Sequence, residues 1–194
     1  MSGAGHAGPG LFGSTPIAGL TSKPDIVTPL EEAALTDRID QSGLSPFTFQ
    51  GWRGKRLTTS YGSGYDFDNG RLAIAEPIPP WLEDLRANVA SFAGLAPAAL
   101  SQVLLIRYDP GAGIGWHRDR SVYEQVIGVS LGAPPAMRFR RRVPSGFERV
   151  TVPLAPRSVD HLAGDARWSV TFRSLSPSGQ KALRCASIKE AAAR

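Results

Sequence analysis

From Ser101 onward the chain is a series of short runs, each cut off by glycine or proline. Gln102–Tyr108, Gln125–Leu131, Ala136–Arg142, Glu148–Leu154, Ser158–Leu162 and Trp168–Leu175 are β-branched or alternating. Pro110-Gly111, Gly132-Ala133-Pro134-Pro135, Pro144-Ser145-Gly146, Ala155-Pro156 and Ala163-Gly164-Asp165 separate them. Segments this short and this punctuated read as strands joined by tight turns. Many short strands behind a helical N-terminal half predict an α+β chain with a sandwich or jelly-roll core.

The N-terminal half carries two helix signatures. Thr28-Pro29-Leu30-Glu31 is a capping box with proline at the first helical position. It predicts a helix through Ile39 that buries Leu30, Ala34, Leu35 and Ile39 and ends near Ser42-Gly43. Pro79-Pro80-Trp81 opens a second helix to Phe92, with Gly94 past its end and Trp81, Leu82, Leu85, Val89 and Phe92 on its apolar stripe. Residues 96–100 form a single turn. Residues 1–24 are rich in Gly, Ser, Ala and Pro, which predicts a flexible leader containing His6. Residues 177–194 are polar and helix-prone, and read as a tail.

A length of 194 residues with 42% apolar content suits one domain with a sizeable core. No stretch is long and apolar enough to predict a membrane span, and no secretory signal is evident. The single cysteine, Cys185, cannot form an intramolecular disulfide and points to a reducing compartment, the cytoplasm. A net charge of +5 and a pI near 9.8 favour polyanionic partners without requiring them.

Two stretches carry candidate chemistry. Between Phe47 and Gly70, the aromatics Phe47, Phe49, Trp52, Tyr61, Tyr65 and Phe67 interleave with Arg53, Lys55 and Arg56. That mixture suits base stacking and phosphate contact, or a hairpin whose aromatics join the core. In Ile114-Gly115-Trp116-His117-Arg118-Asp119, an imidazole and a carboxylate lie two residues apart. On extended backbone they share a face and can meet one ion. Two histidines and a carboxylate form the facial triad of non-heme Fe(II) oxygenases. The basic run Arg138–Arg142 is either a charged edge strand or a phosphate contact.

Taken in order, Arg107-Tyr108-Asp109-Pro110-Gly111, Ile114-Gly115-Trp116-His117-Arg118-Asp119, Val129-Ser130-Leu131-Gly132, Arg138-Phe139 and Arg167-Trp168-Ser169-Val170-Thr171-Phe172-Arg173 resemble the AlkB family of Fe(II)- and 2-oxoglutarate-dependent dioxygenases. The resemblance spans residues 25–176. It implies a double-stranded β-helix (jelly-roll) core with the helices packed on one side. It implies Fe(II) held by His117 and Asp119, with 2-oxoglutarate and O2 as co-substrates. Arg173 would pair with a 2-oxoglutarate carboxylate, and Arg167 and Tyr108 would lie near it. Trp52, Arg53, Lys55, Arg56, Tyr61 and Tyr65 would belong to a lid over the nucleotide. The implied reaction is oxidative demethylation of N-alkylated bases in DNA or RNA by a monomer.

The family's second histidine ligand has two readings here. Either His161 supplies it, or Pro156–Gly164 is the strand before the turn and the ligand segment is missing. Two other functions therefore stay open: a catalytically impaired nucleic-acid-binding relative, and a dioxygenase acting on tRNA, protein or a small molecule.

Overall fold

A computed structural model of the chain describes residues 20–49, 51–67, 69–117, 119–134, 136–159 and 167–192. Its elements are α1 (Pro29–Asp40), β1 (Ser45–Phe49), β2 (Trp52–Tyr61), β3 (Ser63–Asp66), β4 (Arg71–Ile74), α2 (Glu83–Phe92), β5 (Gln102–Tyr108), β6 (Tyr123–Gly132), β7 (Ala136–Val143), β8 (Gly146–Pro153), β9 (Arg167–Leu175) and α3 (Pro177–Ala192). Among the described residues, five strands form one antiparallel sheet in the order β1-β2-β5-β9-β6, while β3–β4 and β7–β8 are hairpins. The architecture is α+β, a jelly-roll core with the N-terminal helices α1 and α2 on one side of the large sheet, as expected.

The alternation of β5 determines which side holds what. Val103 and Leu105 point toward the helices, where they pack with Leu35 and Ile39 of α1, Leu82, Leu85 and Val89 around α2, Val129 of β6 and Phe172 of β9. Ile106 and Tyr108 point the other way and pack with Ala112, Leu104 and Ile114. Side chains directly opposite across an antiparallel ladder share a face. Thr58 opposite Ile106, Thr171 opposite Leu104 and Arg173 opposite Gln102 therefore lie on the Tyr108 side. The chemistry-bearing residues are thus gathered on the face away from the helices.

The first helix departs from the expected stripe. Its capping box forms as read, with the Glu31 amide donating to Thr28 Oγ1 at 3.2 Å and the Thr28 amide donating to Glu31 Oε2 at 2.7 Å. Leu30, however, is 82% exposed and Ala34 is exposed, whereas Leu35 and Ile39 are buried. The cause is a polar anchor. Glu32 accepts from the Gly132 amide at 2.7 Å and pairs with Arg157 at 3.5 Å, which turns the Glu32 side of the helix to the sheet. Arg157 also holds Asp25 at 2.8 Å and sits with it in left-handed backbone, at φ of 59° and 51°.

Other boundaries shift modestly. β6 begins at Tyr123, β7 extends to Val143, β8 covers Gly146–Pro153 and β9 begins at Arg167. The expected strand Ser158–Leu162 is seen as a single bridge, Val159 to Val129, and its remainder lies outside the described residues. The segment read as a tail is helix α3, docked against β4 and the end of β9. A Cβ at Gly179 would collide with the Val122 carbonyl, so glycine permits that close approach. Of the leader, residues 1–19, including His6, lie outside the described residues.

Candidate active site

The loop after β5 is fixed at its start. Asp109-Pro110-Gly111-Ala112 is a turn closed by the Ala112 amide on the Asp109 carbonyl at 2.8 Å, with Gly111 at φ 77° where glycine is favoured. Ala112 is buried against Ile106 and Tyr108. The Arg107 guanidinium braces the same turn through Asp109 at 2.8 Å and ties it to Asp40 of α1 at 3.2 Å. These bonds, Asp109 foremost, hold Arg107 above its ordinary value.

His117 and Asp119 follow on this loop, both open to solvent. His117 Nδ1 lies 2.9 Å from the Gly115 carbonyl oxygen. A carbonyl oxygen only accepts, so Nδ1 carries the proton and Nε2 presents its lone pair outward. This fixing of the tautomer is what a metal-ligating histidine requires. Asp119 Oδ1 lies 3.6 Å from Arg173 Nη2.

Arg173 is largely buried at the far end of β9. Its Nη1 donates to Gln102 Oε1 at 3.1 Å, and its guanidinium lies 4.9 Å from the centroid of the Tyr123 ring. Burial pushes the Tyr123 phenol above its ordinary value, against the opposing charge of Arg173, and the charge on Asp119 adds to the rise.

Further along the same face, Tyr108 is buried. One residue beyond the pair Leu57–Arg107, the β2–β5 register sets Arg56 opposite Tyr108. Arg56 lies beside Tyr108 and stacks over the Phe47 ring at 3.9 Å. On the other side, Tyr108 pairs with Arg167 of β9. Arg167 is thus placed by backbone register, and its side chain lies outside the described residues.

Two aromatic clusters flank the loop. Phe67 meets Phe47, Phe49 and Tyr65 edge-on at 5.4, 5.7 and 5.0 Å. Arg120, the residue after Asp119, lies 5.1 Å from the Tyr65 ring and 5.7 Å from Phe67. On the opposite flank, Arg140 of the β7–β8 hairpin sits between Trp116 at 4.8 Å and Phe147 at 4.9 Å. Trp116 and Phe147 are 44% and 46% exposed, and Trp52 is 62% exposed. Arg53 and Lys55 are exposed as well. Tyr61 differs from the expected lid role. It packs against the helix-side core, because its β2 position falls on the Val103 face.

The residues suit the family's cofactors in kind. An imidazole with a fixed tautomer and a carboxylate suit Fe(II). Arg173 Nε, Arg56 Nε and Thr171 Oγ1 are buried on the same face with no hydrogen-bond partner among the described residues, which suits a polar, anionic ligand. His161 lies outside the described residues, as does the segment on which its two alignments differ. Among the described residues no third His, Cys, Asp or Glu completes a metal-holding group.

The residues that a reading of motifs misses are Gln102, Tyr123 and Arg120, whereas Arg140 lies in the basic run already read as an edge strand or a phosphate contact. Only Gln102 left a trace, an amide two, four and six places from residues of the Tyr108 face on one strand. The others are brought in by loop and hairpin packing, which has no local spacing.

A family profile described as the 2OG-Fe(II) oxygenase superfamily matches residues 26–181. The uncharacterized protein L905 of Acanthamoeba polyphaga mimivirus is 28% identical over 155 residues, covering 74% of this chain and 67% of that protein. The "probable RNA/DNA demethylase ALKBH6" of Danio rerio is 26% identical over 121 residues, covering 62% of this chain and 49% of that protein. The chain thus spans about two thirds and about half of the lengths of these relatives. The solved structure of OsALKBH1 shares the fold with a TM-score of 0.56 at 14% identity, covering 83% of this chain and all of that one. The chain belongs to the 2OG-Fe(II) oxygenase superfamily, as a dioxygenase that uses Fe(II), 2-oxoglutarate and O2.

Proposed function

We propose that the protein oxidatively demethylates N-alkylated bases in DNA or RNA. The observation that carries this reading is the exposed Trp116–Arg140–Phe147 stack beside His117. A cation held between two open aromatic rings offers stacking area and a phosphate partner in one place, next to the proposed metal ligand. Exposed Trp52, Arg53 and Lys55 extend the same chemistry on β2. Tyr65, tied to Arg120, closes the other flank of the loop. The name of the Danio rerio relative, a probable RNA/DNA demethylase, points the same way.

In this reading His117 and Asp119 hold Fe(II), with His161 as the proposed third ligand. Bound Fe(II), with 2-oxoglutarate and O2, supplies a two-electron oxidation that places one oxygen atom in a C–H bond and yields succinate and CO2. The Gly115 carbonyl holds His117 through Nδ1 and leaves Nε2 as the nitrogen for the metal. Arg173 attracts and orients the dianionic co-substrate through paired hydrogen bonds, with Tyr108 and Arg167 beside it. Ile106, Ala112 and Ile114 exclude water from the inner wall. The target base must leave its stack to reach the loop, and Trp116 and Tyr65 offer ring faces to receive it. A hydroxylated N-methyl group then breaks down to formaldehyde and the unmodified N–H. A reducing cytoplasm suits the single, exposed Cys185.

The test is succinate and formaldehyde release with Fe(II), with and without an N-methylated single-stranded oligonucleotide. Formaldehyde in step with succinate supports the reading, and succinate alone, indifferent to the oligonucleotide, refutes the nucleic-acid substrate. The same assay on His161→Ala separates the two alignments. Lost turnover makes His161 the third ligand, and unchanged turnover shows iron held without it.

A further inference from the structure

Among the described residues, Arg56 is a cation without a counter-charge: no carboxylate lies within ion-pair distance of it. Its Nε is buried with no hydrogen-bond partner. Its identified contacts are the Phe47 ring and the Tyr108 hydroxyl. Burial lowers its proton affinity below the ordinary arginine value, the charge of Arg173 adds to that effect, and Tyr108 opposes it. Arg173 is therefore close enough for the two cations to repel.

A burial pattern of this kind is expensive in an empty protein. Desolvating part of a guanidinium is costly unless an anion or a set of acceptors answers it. Three other arginines around the large sheet have carboxylate partners: Arg107 pairs with Asp40 and Asp109, Arg157 with Asp25 and Glu32, and Arg173 with Asp119. Arg56 is held instead by a ring stack that fixes its plane and leaves Nε free. Its register position sets it in one row with Tyr108 and, on the far side, Arg167. A guanidinium beside a phenol on one sheet face suits a carboxylate.

We propose that Arg56 is a co-substrate-binding residue, a further cation for the carboxylate of 2-oxoglutarate that does not engage the metal, and not a contact for the nucleic acid. The role is specific to the dianion. A 2-oxoacid lacking the second carboxylate has nothing to offer Arg56. This inference rests on the family's co-substrate and is independent of the nucleic-acid reading.

The experiment is anaerobic titration calorimetry of the full chain loaded with Mn(II), using 2-oxoglutarate and 2-oxobutyrate. Loss of one charge-assisted pair weakens binding by roughly 10- to 100-fold. Arg56→Gln is expected to raise the Kd for 2-oxoglutarate by that factor and to change the Kd for 2-oxobutyrate less than about threefold, with Arg56→Lys in between. Equal weakening of both acids, or unchanged 2-oxoglutarate binding, overturns the proposal. Thermal unfolding gives a second readout. Without ligand, Arg56→Met is expected to melt no lower than the wild type, because a strained charge has been removed, and to lose most of the Tm rise caused by 2-oxoglutarate. A variant that melts lower and keeps the ligand-induced rise shows a structural arginine and overturns the proposal. Wild-type protein that binds no 2-oxoglutarate overturns it too, and does so by failing the co-substrate reading itself.

Discussion

Arg173 Nη2 and Asp119 Oδ1 stand 3.6 Å apart, joining the last residue of the Thr171-Phe172-Arg173 motif to the proposed metal-binding loop. Neither partner is near the other in sequence. The proposed co-substrate cation and the proposed metal carboxylate therefore form one electrostatic unit, with Gln102 and Tyr123 steadying the arginine.

Changing that cation should separate its two duties. Arg173→Gln is expected to weaken 2-oxoglutarate binding by more than roughly 10-fold while Mn(II) affinity stays within about threefold, since the loop is also fixed by its own turn. Isothermal titration with each ligand checks this. A matching loss of metal affinity would show that the arginine's main task is to place Asp119.

Tyr123 predicts an alkaline limit to stability. Its phenol is raised above the ordinary value of 10.0, first by burial. Above about pH 10 the unfolded chain loses this proton before the folded one does, so stability falls as pH climbs from the ordinary value to the raised one. Tyr123→Phe keeps the ring beside Arg173 and removes the titration. Its urea midpoint is expected to decline less steeply than that of the wild type between pH 10 and 11. Parallel curves for the two proteins would contradict the assignment.

The first helix offers a plain stability contrast. Leu35→Ala empties a buried site and should cost about 2–5 kcal/mol. Leu30→Ala alters a side chain left in solvent and should fall within about 0.5 kcal/mol of the wild type. Denaturant unfolding decides between this and the stripe expected from spacing, for which both substitutions would be costly.

The Trp116–Arg140–Phe147 stack should be felt in strand binding. Arg140→Ala is expected to weaken binding of a single-stranded oligonucleotide and to reduce the salt slope by about 1. Trp116→Ala should weaken binding with the slope unchanged, since stacking carries no counterion. Fluorescence anisotropy across a salt series measures both, and an Arg140→Ala slope equal to that of the wild type would place the arginine off the strand's path.

How far the sequence could be read depended on whether a signal was local. The capping box at Thr28, the second helix and five of the six expected strands each rest on residues a few places apart and appear with shifted ends, the helix proper beginning at Glu83. The stripe of α1 failed because its facing is set by Glu32 reaching Gly132, a contact across 100 positions. His117 and Asp119 were legible as a pair, and Arg173 through its motif. That Arg173 meets Asp119, or that Arg140 lies between Trp116 and Phe147, follows from hairpins folding back over a loop. Arg56 looked like one of several lid cations until the β2–β5 register set it against Tyr108. Tyr61, five residues on along the strand, fell on the opposite face for the same reason.

The alternation of β5 has a consequence for how this protein can change. Odd and even positions of that strand answer to different demands. Val103 and Leu105 are constrained by the volume of a packed interior, whereas Gln102, Ile106 and Tyr108 lie on the face of the proposed site. A mutational scan of seven residues should therefore split by parity into variants that fail to accumulate and variants that accumulate but recognise a different ligand. New specificity could be sought on the even positions alone, with the foundation on the odd ones left untouched.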